Sequence, residues 1–167
     1  MKLNYFISKL VRSDSLKPTE ETWNFVHPGT DKVVYDFTDA SVPPAYHRSF
    51  RAEISGNGIA LSVNCYGNVL NQTTLSTSCE RFCDLLKQID SIKLKEQSNE
   101  DSQGLSGGTT HLLELFEKEE KYFSGSVYGN SLIETLQFGN IKGDIAGLHK
   151  VICHFIPHFE EEMKRKL

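Results

Sequence analysis

The chain has 167 residues, 38% apolar and 24% charged, with a net charge of −4. That length lets one domain, residues 1–167, bury a core without a metal or disulfide staple, and the composition is that of a globular chain rather than a disordered one. The mildly acidic balance argues against a nucleic-acid binder that works by counterion release and suits a basic protein partner.

The opening "MKLNYFISKLVRSDS" has no uninterrupted apolar run, because Lys9 and Arg12 break it, and no small-residue cleavage site follows. No span reaches transmembrane length. The expectation is a cytoplasmic protein with no membrane partner, whose Cys65, Cys79, Cys83 and Cys153 are free thiols. Three short strands are expected next, from "KLNYFISKLV", "TWNFVHP" and "KVVYDFT", with Pro43 and Pro44 closing the segment.

From residue 50 the chain states one pattern twice. "YGNVLNQT" begins at Tyr66 and "YGNSLIET" at Tyr128, and the similarity extends to both sides without a gap. Upstream of the first, Phe50 to Ile54 alternate, Gly-Asn-Gly turns, and Ile59, Leu61, Val63 and Cys65 share a face. Upstream of the second, a hairpin turns at Lys118 to Glu120. A third strand follows each YGN, Val69 to Leu75 and Leu132 to Phe138, and then a helix. Thr77 with Glu80 reads as a capping box for the first helix, which carries Phe82, Leu85, Leu86 and Ile89 as its stripe. Asp144 reads as the cap of the second, and Pro157 should kink or restart it.

These elements predict an α+β fold: helices packed on an antiparallel sheet, as a duplicated β-β-β-α unit preceded by N-terminal strands. The copies span residues 50–92 and 109–166, joined by a polar, glycine-rich linker at 95–108. In both, Gly-Asn falls where a turn between strands needs a positive φ.

Several arrangements hint at chemistry. "GLSGG" matches G-x-S-x-G around Ser106, but a polar linker precedes that serine and a strand follows, the wrong context for a nucleophile elbow. His154 and His158 stand four apart with Glu161 beyond, yet no His-Glu-x-x-His is present and Pro157 falls between the histidines. Cys79 and Cys83 have no second pair, and His27, His47, His111 and His149 share no local context with Asp or Ser. No catalytic, metal or cofactor residue is assigned. Trp23, Tyr35, Tyr46, Tyr66 and Tyr128 are candidates for a binding patch, with packing the simpler use of each.

"GNGIALSVNCYG", then "LSTSCERFCDLLKQI", then "SGGTTHLLELF…KYFSGSVYG" resembles the layout of small cytoplasmic immunity proteins of bacterial toxin-immunity systems, including those paired with contact-dependent inhibition toxins. The resemblance covers roughly residues 50–160. It implies a non-enzymatic inhibitor that sequesters a cognate toxin domain, often a nuclease, by covering its basic active site with acidic side chains. Glu96, Glu100, Asp101, Glu117, Glu119 and Glu120 are the candidate contacts, with Tyr122 and Tyr128 as aromatic anchors. The alternative is a small-molecule-binding or enzymatic domain with a cavity between the sheet and the long C-terminal helix, near Cys153, His154 and His158. A third reading is self-association through an exposed sheet edge.

Overall fold

Alternating apolar side chains bury one face of each strand, and the tight turns between strands fix which face that is. A computed structural model describes residues 25–98, 107–130 and 133–166. The strands are β1 (Lys32–Asp39), β2 (Ser49–Ser55), β3 (Gly58–Cys65), β4 (Asn68–Leu75), β5 (Lys95–Glu96), β6 (Thr109–Glu117), β7 (Glu120–Asn130), β8 (Ile133–Gly139) and β9 (Ile141–Lys142). The helices are α1 (Cys79–Ser91), α2 (Ile145–Phe155) and α3 (Phe159–Glu162). Seven strands form one sheet in the order β4-β3-β2-β1-β6-β7-β8, and β5 pairs with β9 in a second. All described pairings are antiparallel. The α+β class predicted from the pattern is the class observed.

The registers set three rows of inward side chains across the large sheet. Ile59, Ile54, Val33, Leu115 and Phe123 form one, Leu61, Ala52, Tyr35, Leu113 and Gly125 the next, and Val63, Phe50, Phe37, His111 and Val127 the third. Onto this face pack Phe82, Leu85 and Ile89 of α1 and Leu148, Ile152 and Phe155 of α2, in one continuous core. Full burial of side chains of this size contributes about 2 kcal/mol each, so the helix layer is held by its stripe more than by intrinsic propensity. Gly125 serves that packing, because a Cβ there would drive into the buried Ile141 of β9.

Local signals were read correctly at some helix ends and misread at others. Asp144 caps α2 by accepting from Gly147 N at 2.8 Å. Helix α2 ends at Phe155, before Pro157, and the chain restarts as α3 after His158 at φ 54°. At α1 the cap is Ser78, not Thr77: Ser78 Oγ accepts from Arg81 N at 3.3 Å. Of the expected N-terminal strands, "KVVYDFT" is β1, "KLNYFISKLV" lies outside the described residues, and the described part of "TWNFVHP" is a loop. Pro28 and Gly29 turn it, and Thr30 N donates to His27 O at 3.0 Å.

Each half of the chain supplies three consecutive strands and then a helix. The two meanders leave β1 in opposite directions, β2-β3-β4 to one side and β6-β7-β8 to the other. Both begin antiparallel to β1, and both helices lie on the same face. No rotation superposes two such arrangements, so what the halves share is layout, with opposite hand. The YGN triplets diverge as well. Tyr66 (φ 47°) and Gly67 (φ 82°) are the left-handed turn closed by the Cys65–Asn68 pair. Gly129, by contrast, lies inside β7, paired with Thr109, and the strand runs on to Asn130. The positive φ expected of both triplets therefore holds for the first alone, since β7 is 11 residues long and β3 is 8.

Candidate functional site

The carboxylates singled out from the sequence are divided by the fold. Glu117, Glu119 and Glu120 meet at the β6–β7 tip, where Lys118 (φ 52°) and Glu119 (φ 68°) make a left-handed two-residue turn. Asp31 joins them: its Oδ2 accepts from Lys118 N at 2.7 Å, locking the tip against the start of β1. Glu119 and Glu120 are exposed, while Glu117 lies 3.8 Å from His27 Nδ1. Glu96 is exposed in β5, on the other sheet. Glu100 and Asp101 lie outside the described residues, as do Ser106 and Trp23.

Neither predicted aromatic anchor stands free. Tyr122 stacks on His27 with ring centroids 3.9 Å apart, and its hydroxyl accepts from His27 N at 3.1 Å and bonds Thr30 Oγ1. It ties the loop before β1 to β7. The Tyr128 hydroxyl is buried beside Gly108, with no hydrogen-bond partner among the described residues.

Exposed aromatic surface gathers instead at the opposite end of the sheet. Tyr46 is 74% exposed, Tyr66 59% and Val69 45%. They are neighbours because the Pro44–Tyr46 turn leans on the β3–β4 hairpin. Cys65 Sγ donates to Pro44 O at 3.4 Å, and Tyr66 stacks on the buried His47 at 4.2 Å between centroids. A left-handed conformation costs an ordinary L-residue about 1 kcal/mol or more. Tyr66 holds an unfavourable turn position where Asn or Gly would sit without cost, and it uses that position to present an aromatic ring.

The open face of the sheet carries its own ion network. Arg51 Nη1 donates to Asp36 Oδ2 at 2.6 Å and Arg51 Nε to Glu53 Oε1 at 3.0 Å, while Lys121 pairs with Glu114 at 2.7 Å. Partial burial nonetheless raises the Asp36 carboxyl, against the opposing pull of Arg51.

No protein-family model, curated protein or solved structure matches this chain.

Under α2 lies a polar chain that the sequence did not announce. Tyr35 OH sits 2.7 Å from His111 Nδ1 and 2.9 Å from His149 Nδ1. His149 Nε2 is 3.4 Å from Cys153 Sγ, and His111 Nε2 is 3.1 Å from Thr109 Oγ1. Two proton orders satisfy every member: Cys153 S–H donates to His149, His149 Nδ1–H to Tyr35, Tyr35 O–H to His111 and His111 Nε2–H to Thr109, or every bond runs the other way, from the Thr109 hydroxyl to Cys153 Sγ. Both imidazoles are then neutral, as their burial favours.

A Cys–His pair oriented by a third group has the outline of an activated nucleophile. Its electrostatics run the other way. Burial, with Glu160 nearby, pushes the Cys153 thiol up to about 12, and burial lowers His149. The thiol therefore stays protonated at neutral pH. We expect iodoacetamide at pH 8 to label the exposed Cys79 and Cys83 and leave Cys153 unmodified, read by peptide mass spectrometry. Labelling of Cys153 at the same rate would show a live thiolate. His154 and His158 line one open depression together with Cys153 and Glu161, on either side of the left-handed break at His158, but among the described residues no three potential ligands are grouped to hold a metal.

Proposed function

We propose that this protein acts by binding another protein, as an inhibitor of the immunity type that neutralises a basic toxin domain. The observation that carries the reading is the aromatic end: Tyr46, Tyr66 and Val69 are exposed together, and Tyr66 is held there in a strained conformation. Tyr is among the residues that dominate binding energy at interfaces, and backbone strain retained at an exposed position points to use. The net charge of −4 and the carboxylates gathered at the β6–β7 tip favour a basic partner and speed its approach.

The test is co-expression with the product of any large reading frame adjacent to this protein's gene, scored by growth and by the affinity of the purified pair. Wild type should protect and form a stoichiometric complex. Tyr66→Asn, which suits the left-handed turn, should keep the fold and weaken the complex by at least tenfold, about 1.4 kcal/mol. Glu119→Lys with Glu120→Lys should chiefly slow association and reduce its salt dependence. Failure of the wild type to protect or bind would sink the immunity reading, and full affinity in Tyr66→Asn would move the anchor elsewhere.

A further inference from the structure

We propose that the β4 edge pairs with β4 of a second copy of this chain, joining two seven-stranded sheets into one. This pairing does not rest on the proposed toxin partner; it follows from which backbone groups face outward.

The β2–β3 hairpin turns through two residues, so Ser55 and Gly58 form the hydrogen-bonded closing pair. Alternation then assigns Ala60, Ser62 and Asn64 to bonds with β2, and Ile59, Leu61 and Val63 to bonds with β4. Their β4 partners are Leu75, Thr73 and Asn71. The N–H and C=O groups of Gln72 and Thr74 consequently point away from the sheet. No described strand lies beyond β4, and both residues are exposed.

The C-terminal segment covers only the beginning of this edge. Lys166 N donates to Leu70 O at 2.8 Å, and Asn71 Nδ2 donates to Glu162 O and Oε2 at 2.7 and 2.8 Å. Among the described residues, the edge from Gln72 onward has none of the devices that keep edges apart. "NVLNQTTL" contains no Lys, no Pro and no charge, and its one register shift, between Val63 and Asn64, falls before Gln72.

The occupant is identified by self-complementarity. An antiparallel two-fold about Thr73 sets Thr73 opposite itself and Gln72 opposite Thr74 of the other copy, with four backbone hydrogen bonds between outward groups. Thr–Thr is a favourable cross-strand pair, and no like charges oppose. A basic partner would gain nothing from an uncharged edge, whereas a second copy of a −4 chain meets no repulsion along it. The contact is short, so the dimer is weak and visible only as concentration rises.

Sedimentation equilibrium over a roughly hundredfold concentration range should show mass rising from one chain towards two. Thr74→Pro removes an outward N–H without touching the β3–β4 ladder and should weaken the dimer at least tenfold while leaving circular dichroism and melting unchanged. Gln72→Lys with Thr74→Lys should abolish it through facing like charges. Gln72→Lys with Thr74→Glu should restore it, because this register sets the new pair opposite one another. A chain that stays monomeric throughout overturns the proposal, and so does a dimer indifferent to all three variants.

Discussion

Tyr35→Phe is expected to cost about 3 kcal/mol of stability, although it removes a single oxygen. That oxygen is the centre of the buried chain. Tyr35 is fully buried, and its hydroxyl serves His111 on β6 and His149 on α2 at once. Phe would leave two imidazole nitrogens without a partner, one on the buried His111 and one on the half-buried His149, and a buried orphan costs about 1–3 kcal/mol. The ring itself stays, so packing against Phe50 and the neighbouring row is preserved and the loss isolates the polar term. Urea unfolding at pH 7.5 gives the number, with an unchanged m-value as the check that the native fold is the same. A loss below about 0.5 kcal/mol would mean that the two histidines find other partners and that the chain is incidental to stability.

How much of this was legible beforehand depends on the range over which each feature is specified. The β2–β3 hairpin was readable because alternation and the Gly-Asn turn are local, and so were Asp144 as a cap and the break at Pro157. Thr77 was misassigned as a cap because Ser78 beside it has the same chemistry, and only the register of α1 decides between them. The matched YGN triplets misled for a related reason: identical letters fall in a turn when the strand is short and inside the strand when it is long. Of the aromatic residues, Tyr122 is taken up by His27 and Thr30 whereas Tyr46 and Tyr66 are left exposed, and composition cannot distinguish those fates. The Tyr35 chain was out of reach altogether. His111 and His149 lie 76 and 114 residues beyond Tyr35, and only the pairing of β1 with β6 and the docking of α2 bring them together.

The same chain makes stability depend on pH in a defined window. Burial, with His149 adding to it, lowers His111 from 6.5 to about 4, and burial lowers His149 as well. For a base whose folded pKa is depressed, the unfolded chain binds the proton first. Stability is therefore at its plateau above the unfolded value of 6.5, and it falls as pH drops from there towards 4. His111 alone accounts for about 3 kcal/mol over that interval, with His149 adding to the loss and the nearby Asp39 carboxylate opposing it. The shifted carboxylates divide. The lowered Glu162, held by Lys166 and Asn71, loses its contribution as pH falls from the ordinary carboxyl value towards its lower folded one, whereas the raised Asp36 takes up its proton in the fold above its ordinary 3.8 and there offsets part of the histidine loss. Urea titrations between pH 7.5 and 4.5 should show the unfolding free energy falling steadily. His111→Gln, less stable at pH 7.5, should lose less on acidification, because one titrating group is gone. Equal slopes for wild type and variant would mean that His111 takes up its proton as readily in the fold as in the unfolded chain, and the neutral buried chain through Tyr35 would have to be abandoned with it.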